Sequence, residues 1–216
     1  METYILDTNL FFNMEAGLGF GQKTEEVVKN ITQKAGVLKK ENQAQFMMPP
    51  RAIDEFLSFF EDKKQPFIND FLSAITIKSP DISKIGFSAT VFYHLIDDIR
   101  QRSYRGLAIG EDEIKNAGQI MQGAGNLSKK EFEIKIGTVI KTFRDRYRNA
   151  TRTKFLDSVT DLDLIVLAKE QNGYLVTSDE GVIYWGRQFG VKEMPTAVWK
   201  THLPEQAGTA SPTTGR

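Results

Sequence analysis

The spacing of hydrophobic positions changes several times along the chain, and these changes predict the order of its elements. Short apolar runs bounded by turn residues predict buried strands near residues 4–6, 45–48, 74–78, 174–177 and 191–194. Between most of these runs, apolar residues recur every three or four positions, which is typical of helices that pack on a core. Strands that alternate with helices predict an α/β fold with a mostly parallel sheet.

The middle of the chain departs from this alternation. Apolar residues at helical spacing fill Ile82–Arg102 and Lys129–Asn149. The glycine-containing stretch 106–128 lies between them and indicates a polar connection with a short helix. Two long helices joined in this way predict an antiparallel hairpin.

These patterns predict a discontinuous organisation. Residues 1–80 and 155–203 would form one α/β domain, and residues 81–154 would form a helical hairpin inserted into it. The segment 204–216 is rich in Pro, Gly, Ser and Thr, a composition that predicts a disordered tail.

The amino-acid composition limits the kinds of catalytic site and location that are possible for this protein. The 216 residues include no cysteine, which excludes disulfides and thiolate catalysis and favours a cytoplasmic location. His94 and His202 are the only histidines, so a histidine-rich zinc site or a Ser-His triad is poorly supported. No apolar run is long enough to span a membrane. The net charge is zero, so any preference for a charged partner must come from the local placement of charges.

Two aspartates follow predicted strands at the same edge of the sheet. Asp7 comes directly after the first apolar run, and Asp179 follows the run "YLVTS". Ligands of open parallel sheets bind beyond the carboxyl ends of the strands, so both acids are expected there. Each acid alone could equally be a helix cap. Two carboxylates at one edge repel each other unless a cation joins them, which favours a metal site.

A second pair of acids lies between them, in "FLDSVTDLDLIVLA". Asp157 and Asp161 would share one helix face if the helix begins by Asp157. Asp163 points elsewhere, and together with Thr160 it could instead form a capping pair.

Carboxylates without histidine or cysteine are the ligand set expected for Mg²⁺, with Mn²⁺ as the alternative. Such ions assist in-line displacement at phosphorus, so the spacing of the acids predicts a metal-dependent phosphodiesterase. Glu55 follows Pro50 on an early helix and could reach the same edge, although an exposed helix acid fits equally well. The metal-binding and catalytic candidates are Asp7, Asp157, Asp161 and Asp179, with Glu55 and Asp163 as additional metal candidates.

The second hairpin helix combines an apolar face with a basic one. At 100° per residue, one stripe of the helix consists of Lys141, Arg144, Arg148 and Arg152. Additional candidates at the end of the first hairpin helix, expected near the distal end of the hairpin, are Arg100, Arg102 and Arg105. An ordinary solvated face is the alternative. Arginine suits planar contacts with phosphate, so the stripe favours binding to the backbone of a folded RNA.

The ordered acids and their neighbours resemble a known family. "ILDTN", "PPRAIDEF" and "TDLDLIVLAKEQNGYLVTSD" resemble motifs of the PIN-domain nucleases, and Thr177-Ser178-Asp179 matches their Thr-x-Asp ending. In that family one acid follows the first strand, one lies on an early helix, one opens a late helix and one follows the next strand. Asp7, Glu55, Asp161 and Asp179 match those places in order.

A finer resemblance includes the hairpin. "LDTNLFFNMEAGLGFG", "FYHLIDDIRQRSYRG" and "RDRYRNATRTKFLDSVTDLDLIVLAKE" are similar to the minimal protein-only ribonuclease P family, over residues 3–200. The resemblance implies removal of the 5′ leader of precursor tRNA without an RNA subunit. It also implies metal-dependent catalysis by Asp7, Asp157, Asp161 and Asp179, and a homo-oligomer assembled through the hairpin.

Two other functions compete with this interpretation. A PIN-type toxin ribonuclease would have an antitoxin partner, but it has no need of a long hairpin. A non-catalytic RNA-binding protein would tolerate loss of an acid, whereas all four aspartates are present.

Overall fold

The computed structural model describes residues 1–12, 19–156 and 158–204, and an all-parallel sheet of five strands lies at its centre. The strands in chain order are β1 (Glu2–Leu6), β2 (Ala44–Met48), β3 (Thr76–Ile77), β4 (Tyr174–Val176) and β5 (Lys192–Glu193). Their order in the sheet is β3-β2-β1-β4-β5. The predicted α/β class and parallel sheet are therefore confirmed.

Helices flank this sheet and connect its strands. They are α1 (Asn9–Phe12), α2 (Thr24–Lys40), α3 (Pro50–Ser58), α4 (Pro66–Ala74), α5 (Thr90–Met121), α6 (Lys129–Arg152), α7 (Val159–Glu170), α8 (Glu180–Gln188) and α9 (Thr196–His202). A 3₁₀ turn at Ile82–Lys84 precedes α5. Proline opens α3 and α4, where its missing N–H leaves no hydrogen bond unmade. A reciprocal capping box between Ser128 and Glu131 fixes the start of α6.

The core lies between the sheet and its helices. The last three residues of β1 are almost fully buried, because the strand is central and both of its faces are covered. Helix α7 is buried along Asp163–Ala168 and contacts both β1 and β4. This packing places the ends of β1 and β4 side by side, with Tyr4 paired to Tyr174 and Leu6 to Val176.

Helices α5 and α6 pack antiparallel as a long hairpin between β3 and β4. Arg146 of α6 forms ion pairs with Glu113 at 2.6 Å and Asp112 at 3.1 Å on α5. Nearer the sheet, Gly106 lies against the ring of Tyr147, where a Cβ atom would come within 2.7 Å of a ring carbon. Glycine therefore allows the two helices to approach closely at this point.

The first hairpin helix differs from the prediction. It begins at Thr90 and continues to Met121, through the stretch that was predicted to be a connection. Its glycines lower helix propensity, but contacts with α6 outweigh that cost of about 1 kcal/mol per residue. The turn between the helices is consequently short, and it lies at residues 122–128.

This extension also changes where the arginines of α5 lie. Arg102 contacts the carbonyl groups of Thr151 and Thr153 at the end of α6, so it lies near the base of the hairpin. The prediction that Arg100, Arg102 and Arg105 lie at the distal end was therefore wrong.

Across the three described ranges, no helix combines the length and apolar character needed to cross a bilayer. After α9 the chain is held at Pro204, whose carbonyl accepts a hydrogen bond from Lys34. The remainder of the predicted disordered tail, residues 205–216, lies outside the described residues.

Candidate active site

Asp7 lies at the carboxyl end of the central strand and is only 5% exposed. Its backbone N–H donates to the carbonyl of Val176 at 3.2 Å, which continues the β1–β4 pairing by one residue. Its own carbonyl accepts from Leu10 in the first turn of α1. The backbone thus fixes a carboxylate in a buried position at the sheet edge, where the sequence predicted it.

Thr177 joins Asp7 to the end of the neighbouring strand. Its hydroxyl donates to Asp7 Oδ2 at 2.5 Å and accepts from the backbone N–H of Asp179 at 2.9 Å. The side-chain amide of Asn9 also donates to this hydroxyl, at 3.1 Å. Thr8 donates more weakly to Asp7 Oδ1, at 3.3 Å. The turn residues Thr8 and Asn9 therefore hold the carboxylate directly and through Thr177.

Burial raises the pKa of Asp7 from 3.8 to about 6. Hydrogen bonds from Thr177 and from the backbone of Asn9 oppose this shift, and the nearby carboxylates of Asp161 and Asp179 add to it. The carboxylates of Asp161 in α7 and of Asp179 after β4 are thus close enough to repel that of Asp7. A cation would remove this repulsion.

Asp179 is also the N-cap of α8. Its Oδ1 accepts from the backbone N–H groups of Gly181 at 2.6 Å and Val182 at 3.0 Å. The capping role that was considered for Asp179 is therefore present in the structure. The cap occupies one carboxylate oxygen and fixes the orientation of the group beside Asp7.

Helix α7 begins at Val159, so the condition under which Asp157 and Asp161 would share one helix face is not met. Ser158 is its N-cap and accepts from the backbone N–H of Asp161 at 3.0 Å. The helix therefore does not begin by Asp157, and Thr160 and Asp163 do not form the N-terminal cap. Asp161 lies in the first turn of α7, while Asp157 lies outside the described residues.

The two additional metal candidates have other surroundings. Asp163 is largely buried and forms an ion pair with Arg51 of α3 at 2.6 Å, which joins α3 to α7. Glu55 is exposed on α3. We therefore leave Asp163 out of the proposed metal ligands, and the assignment of Glu55 stays a prediction.

The chemistry of the acids fits a hard divalent cation, because carboxylate oxygens are the ligands that Mg²⁺ prefers. The buried, charge-repelled carboxyl of Asp7 is the structural observation that supports this fit. Among residues 1–12, 19–156 and 158–204, however, no three His, Asp or Glu side chains converge closely enough to hold an ion. Asp157, the remaining candidate ligand, lies outside these ranges.

The basic stripe of α6 leads to these acids. Lys141, Arg144, Arg148 and Arg152 are all exposed. A groove of about 370 Å³ is lined by Arg148 and Arg152 on one side and by Asp179 and Gly181 on the other. Cations on the hairpin and a carboxylate at the sheet edge therefore face the same groove, although the sequence could show only their order along the chain.

The α5 arginines do not form one group. Arg100 and Arg105 are exposed, whereas Arg102 is 8% exposed and bound to protein groups of α5 and α6. We therefore remove Arg102 from the candidate RNA contacts, because its guanidinium has no surface to offer a phosphate.

A comparison with known protein families identifies the family to which this chain belongs. The model of the PINc domain ribonuclease family matches residues 3–206, which include all but the first residue of the sheet, the hairpin and the acids. This chain belongs to the PINc domain ribonuclease family. The resemblance to PIN-domain nucleases is thereby confirmed, and the protein is an endoribonuclease.

Curated relatives refine the position of this ribonuclease within the family. A protein of Thermodesulfovibrio yellowstonii named RNA-free ribonuclease P is 31% identical over 204 residues, 94% of each chain. One of Pyrococcus horikoshii with the same name is 32% identical over 95% of this chain and 93% of its own. Another, of Staphylothermus marinus, is 34% identical over 93% of this chain and 94% of its own. The similarity thus extends over the hairpin as well as the sheet.

Several contacts that shape the site of this ribonuclease were not predicted. Ser158 as the cap of α7 and Arg51 as the partner of Asp163 depend on how helices pack, which the linear sequence does not show. The role of Thr177 could have been found, because its hydroxyl lies one residue after a strand that neighbours the strand of Asp7. The Thr-x-Asp ending was the available signal.

Proposed function

We propose that this ribonuclease removes the 5′ leader of precursor tRNA, as an RNA-free ribonuclease P that uses Mg²⁺. The name shared by its full-length relatives supports this substrate. The observation that carries the proposal is the groove in which Arg148 and Arg152 of the hairpin face Asp179 at the sheet edge. Cations and carboxylates in one groove suit an enzyme that holds an RNA backbone and cuts it nearby.

In this proposal the ion is held by Asp7, Asp157, Asp161 and Asp179. The chemistry that such an ion supplies is neutralisation of charge at the scissile phosphate and activation of water. The protein orients its carboxylates before the ion binds: Thr177 fixes Asp7, the backbone of α8 fixes Asp179, and Ser158 fixes the turn that carries Asp161. Mn²⁺ would satisfy the same oxygen ligands.

The basic stripe of α6, with Arg100 and Arg105 as additional candidates, would hold the body of the tRNA. An enzyme that processes many precursors must recognise shape and backbone, because their leaders differ in sequence. Arginines one turn apart on a helix can contact successive phosphates. The net charge of zero means that this stripe is a local feature and not part of a generally basic surface.

We also propose that the protein forms a homo-oligomer through the hairpin. Large apolar side chains remain exposed along both helices, including Phe92 at 57%, Leu107 at 62%, Ile114 at 74% and Ile134 at 63%. A surface of this kind usually marks an interface. Phe92 and Phe132 are exposed aromatic residues of the hairpin helices, whereas Phe87, which precedes α5, packs against Phe189.

The test is cleavage of a precursor tRNA labelled at its 5′ end. With Mg²⁺ the purified protein should release one labelled leader and leave the mature 5′ end. EDTA or Asp7→Asn should abolish the product. A matched RNA with the same leader but a disrupted tRNA fold should be cut far more slowly. Equal cleavage of both RNAs would favour a general ribonuclease, such as a toxin, over ribonuclease P.

A further inference from the structure

Arg102 makes an unusual set of contacts for an arginine near a surface groove. Its side chain is 10% exposed, and its Nε forms an ion pair with Asp98 at 2.9 Å, one turn earlier on α5. Its Nη1 donates to the carbonyl groups of Thr151 at 2.7 Å and Thr153 at 3.0 Å. The guanidinium is therefore held by α5 and directed at the end of α6.

These contacts fix the start of the junction that follows α6, residues 153–156. Carbonyl groups at a helix C-terminus lack partners within the helix, and Arg102 supplies them. The same guanidinium lies over the ring of Phe155, 4.5 Å from its centre. Lys154, between these contacts, has a φ of 57°, a left-handed turn that redirects the chain away from α6. One side chain thus holds both the end of the helix and the turn after it.

The other side of this junction lies directly on α8. A Cβ atom on Gly181 would come within 2.6 Å of the Phe155 carbonyl oxygen, so only glycine allows this approach. The N–H of Gly181 donates to Asp179 Oδ1, and Lys154 forms an ion pair with Glu180 at 3.5 Å. The junction is therefore enclosed between Arg102 and the capped turn that carries Asp179.

We propose that Arg102 is a positioning residue that fixes the distance between the basic stripe of α6 and the carboxylates at the sheet edge. The stripe ends at Arg152, directly before the junction, and Asp161 lies beyond it in the first turn of α7. This role rests on the proposed function, in which the stripe holds the RNA and the acids cut it. A small displacement between the two would move the scissile phosphate away from the acids without releasing the RNA.

The test is Arg102→Lys, which keeps the positive charge but cannot bond two carbonyls and cover a ring at once. With bound precursor tRNA, single-turnover cleavage should slow by about 10- to 100-fold, the range caused by misplacements near 1 Å. The dissociation constant measured in Ca²⁺ should change by less than about twofold, because the stripe is intact. The new 5′ ends, read by sequencing, should spread to neighbouring phosphates.

Arg146→Lys is the matched control, because Arg146 also joins α5 to α6 through two acids but lies away from the junction. It should lower the melting temperature while leaving the cleavage position unchanged. A decrease in stability alone cannot move a cleavage site. A shifted site in Arg102→Lys but not in Arg146→Lys would therefore show that Arg102 positions the RNA and does more than stabilise the hairpin. Wild-type rate and position in Arg102→Lys would overturn the proposal.

A second readout does not depend on RNA. In Arg102→Lys, the backbone amide of Phe155 should exchange with deuterium faster than in the wild type, with exchange in β1 unchanged. If the wild type does not cleave precursor tRNA, the proposed function fails. The exchange measurement still tests whether Arg102 holds the end of α6. Unchanged exchange at the junction would overturn the positioning role by itself.

Discussion

The carboxyl group of Asp7 is held where its charge is unfavourable for the stability of the free protein. A pKa of about 6 in the fold, against 3.8 without it, means that the native state binds more protons than the unfolded state between these values. The free energy of unfolding should therefore fall as pH rises from about 4 to about 6. By pH 7 the decrease amounts to at most about 3 kcal/mol.

Asp7→Asn should consequently raise the melting temperature in EDTA at pH 7 by a few degrees, while it abolishes cleavage. The advantage over the wild type should shrink as pH falls from about 6 to about 4, because the native state then binds a proton at Asp7. Differential scanning calorimetry across this pH range measures both effects. Asp54→Asn, on an exposed position of α3, is the control and should change neither. A lower melting temperature for Asp7→Asn at pH 7 would contradict the assigned charge repulsion.

With Mg²⁺ in place of EDTA, the wild type should instead have a higher melting temperature than Asp7→Asn. An ion that binds only the native state stabilises it in proportion to the logarithm of its concentration. Titration with Mg²⁺ should raise the melting temperature of the wild type, and it should raise that of Asp7→Asn or Asp161→Asn much less. Asp163→Asn should still respond as the wild type does, because Asp163 pairs with Arg51. Equal responses in all four proteins would show that the ion binds elsewhere.

Thr177 allows a second test at the residue scale. Thr177→Val keeps the shape but removes the hydroxyl that contacts Asp7, Asn9 and the backbone of Asp179. It should lower the single-turnover rate by about 10- to 100-fold and cost about 1–3 kcal/mol of stability. Thr177→Ser, which restores the hydroxyl, should recover most of the rate. A fast Thr177→Val enzyme would show that Asp7 needs no such support.

At the scale of elements, local patterns predicted the sheet better than the hairpin. Short apolar runs located β1, β2 and β4, since a strand buried on both faces is apolar along most of its length. The runs near 74–78 and 191–194 also overlap the two-residue edge strands β3 and β5, which are partly exposed. The second half of α5 was missed because its glycines indicate a loop when read alone. The fit of Gly106 against Tyr147, which a larger residue would prevent, exists only when α6 is in place. The contacts that orient the acids also depend on distant residues.

The stripe of α6 makes a prediction about salt. Replacing Arg144, Arg148 and Arg152 by alanine should weaken binding of precursor tRNA, with a smaller effect on the cleavage rate of the bound RNA. The slope of log affinity against log salt should fall by roughly one for each phosphate that the variant no longer neutralises. Filter binding in Ca²⁺ at several salt concentrations measures both the affinity and the slope.

The control for this experiment removes the same number of charges from the same helix. Lys129, Lys130 and Lys135 lie at the other end of α6, away from the groove. Their triple alanine variant should retain more of the affinity and slope. An unchanged slope in the arginine variant would mean that the stripe is only a solvated face.

At the scale of the whole molecule, the hairpin presents more apolar surface than one chain covers. Light scattering should give a mass well above 24.4 kDa. Ile134→Glu places a charge at a position that is 63% exposed, so the monomer should fold normally while the assembly becomes smaller. Ile82→Glu, equally apolar and 76% exposed but outside α5 and α6, is the control and should leave the mass unchanged. A wild-type monomer at micromolar concentration would contradict the proposed assembly.

The order of strands in the sheet also has a consequence for synthesis of the chain. The hydroxyl that fixes Asp7 belongs to a residue 170 positions later, directly after a strand that is made after both hairpin helices. At about 5–20 residues per second, a ribosome needs roughly ten seconds or more to make that stretch. During this time Asp7 has neither the partner that orients it nor the carboxylates of α7 and α8. Under the proposed function, a nascent chain acquires its RNA-binding α6 arginines before its active-site acids are complete, so it would bind RNA without cutting it until translation is nearly complete.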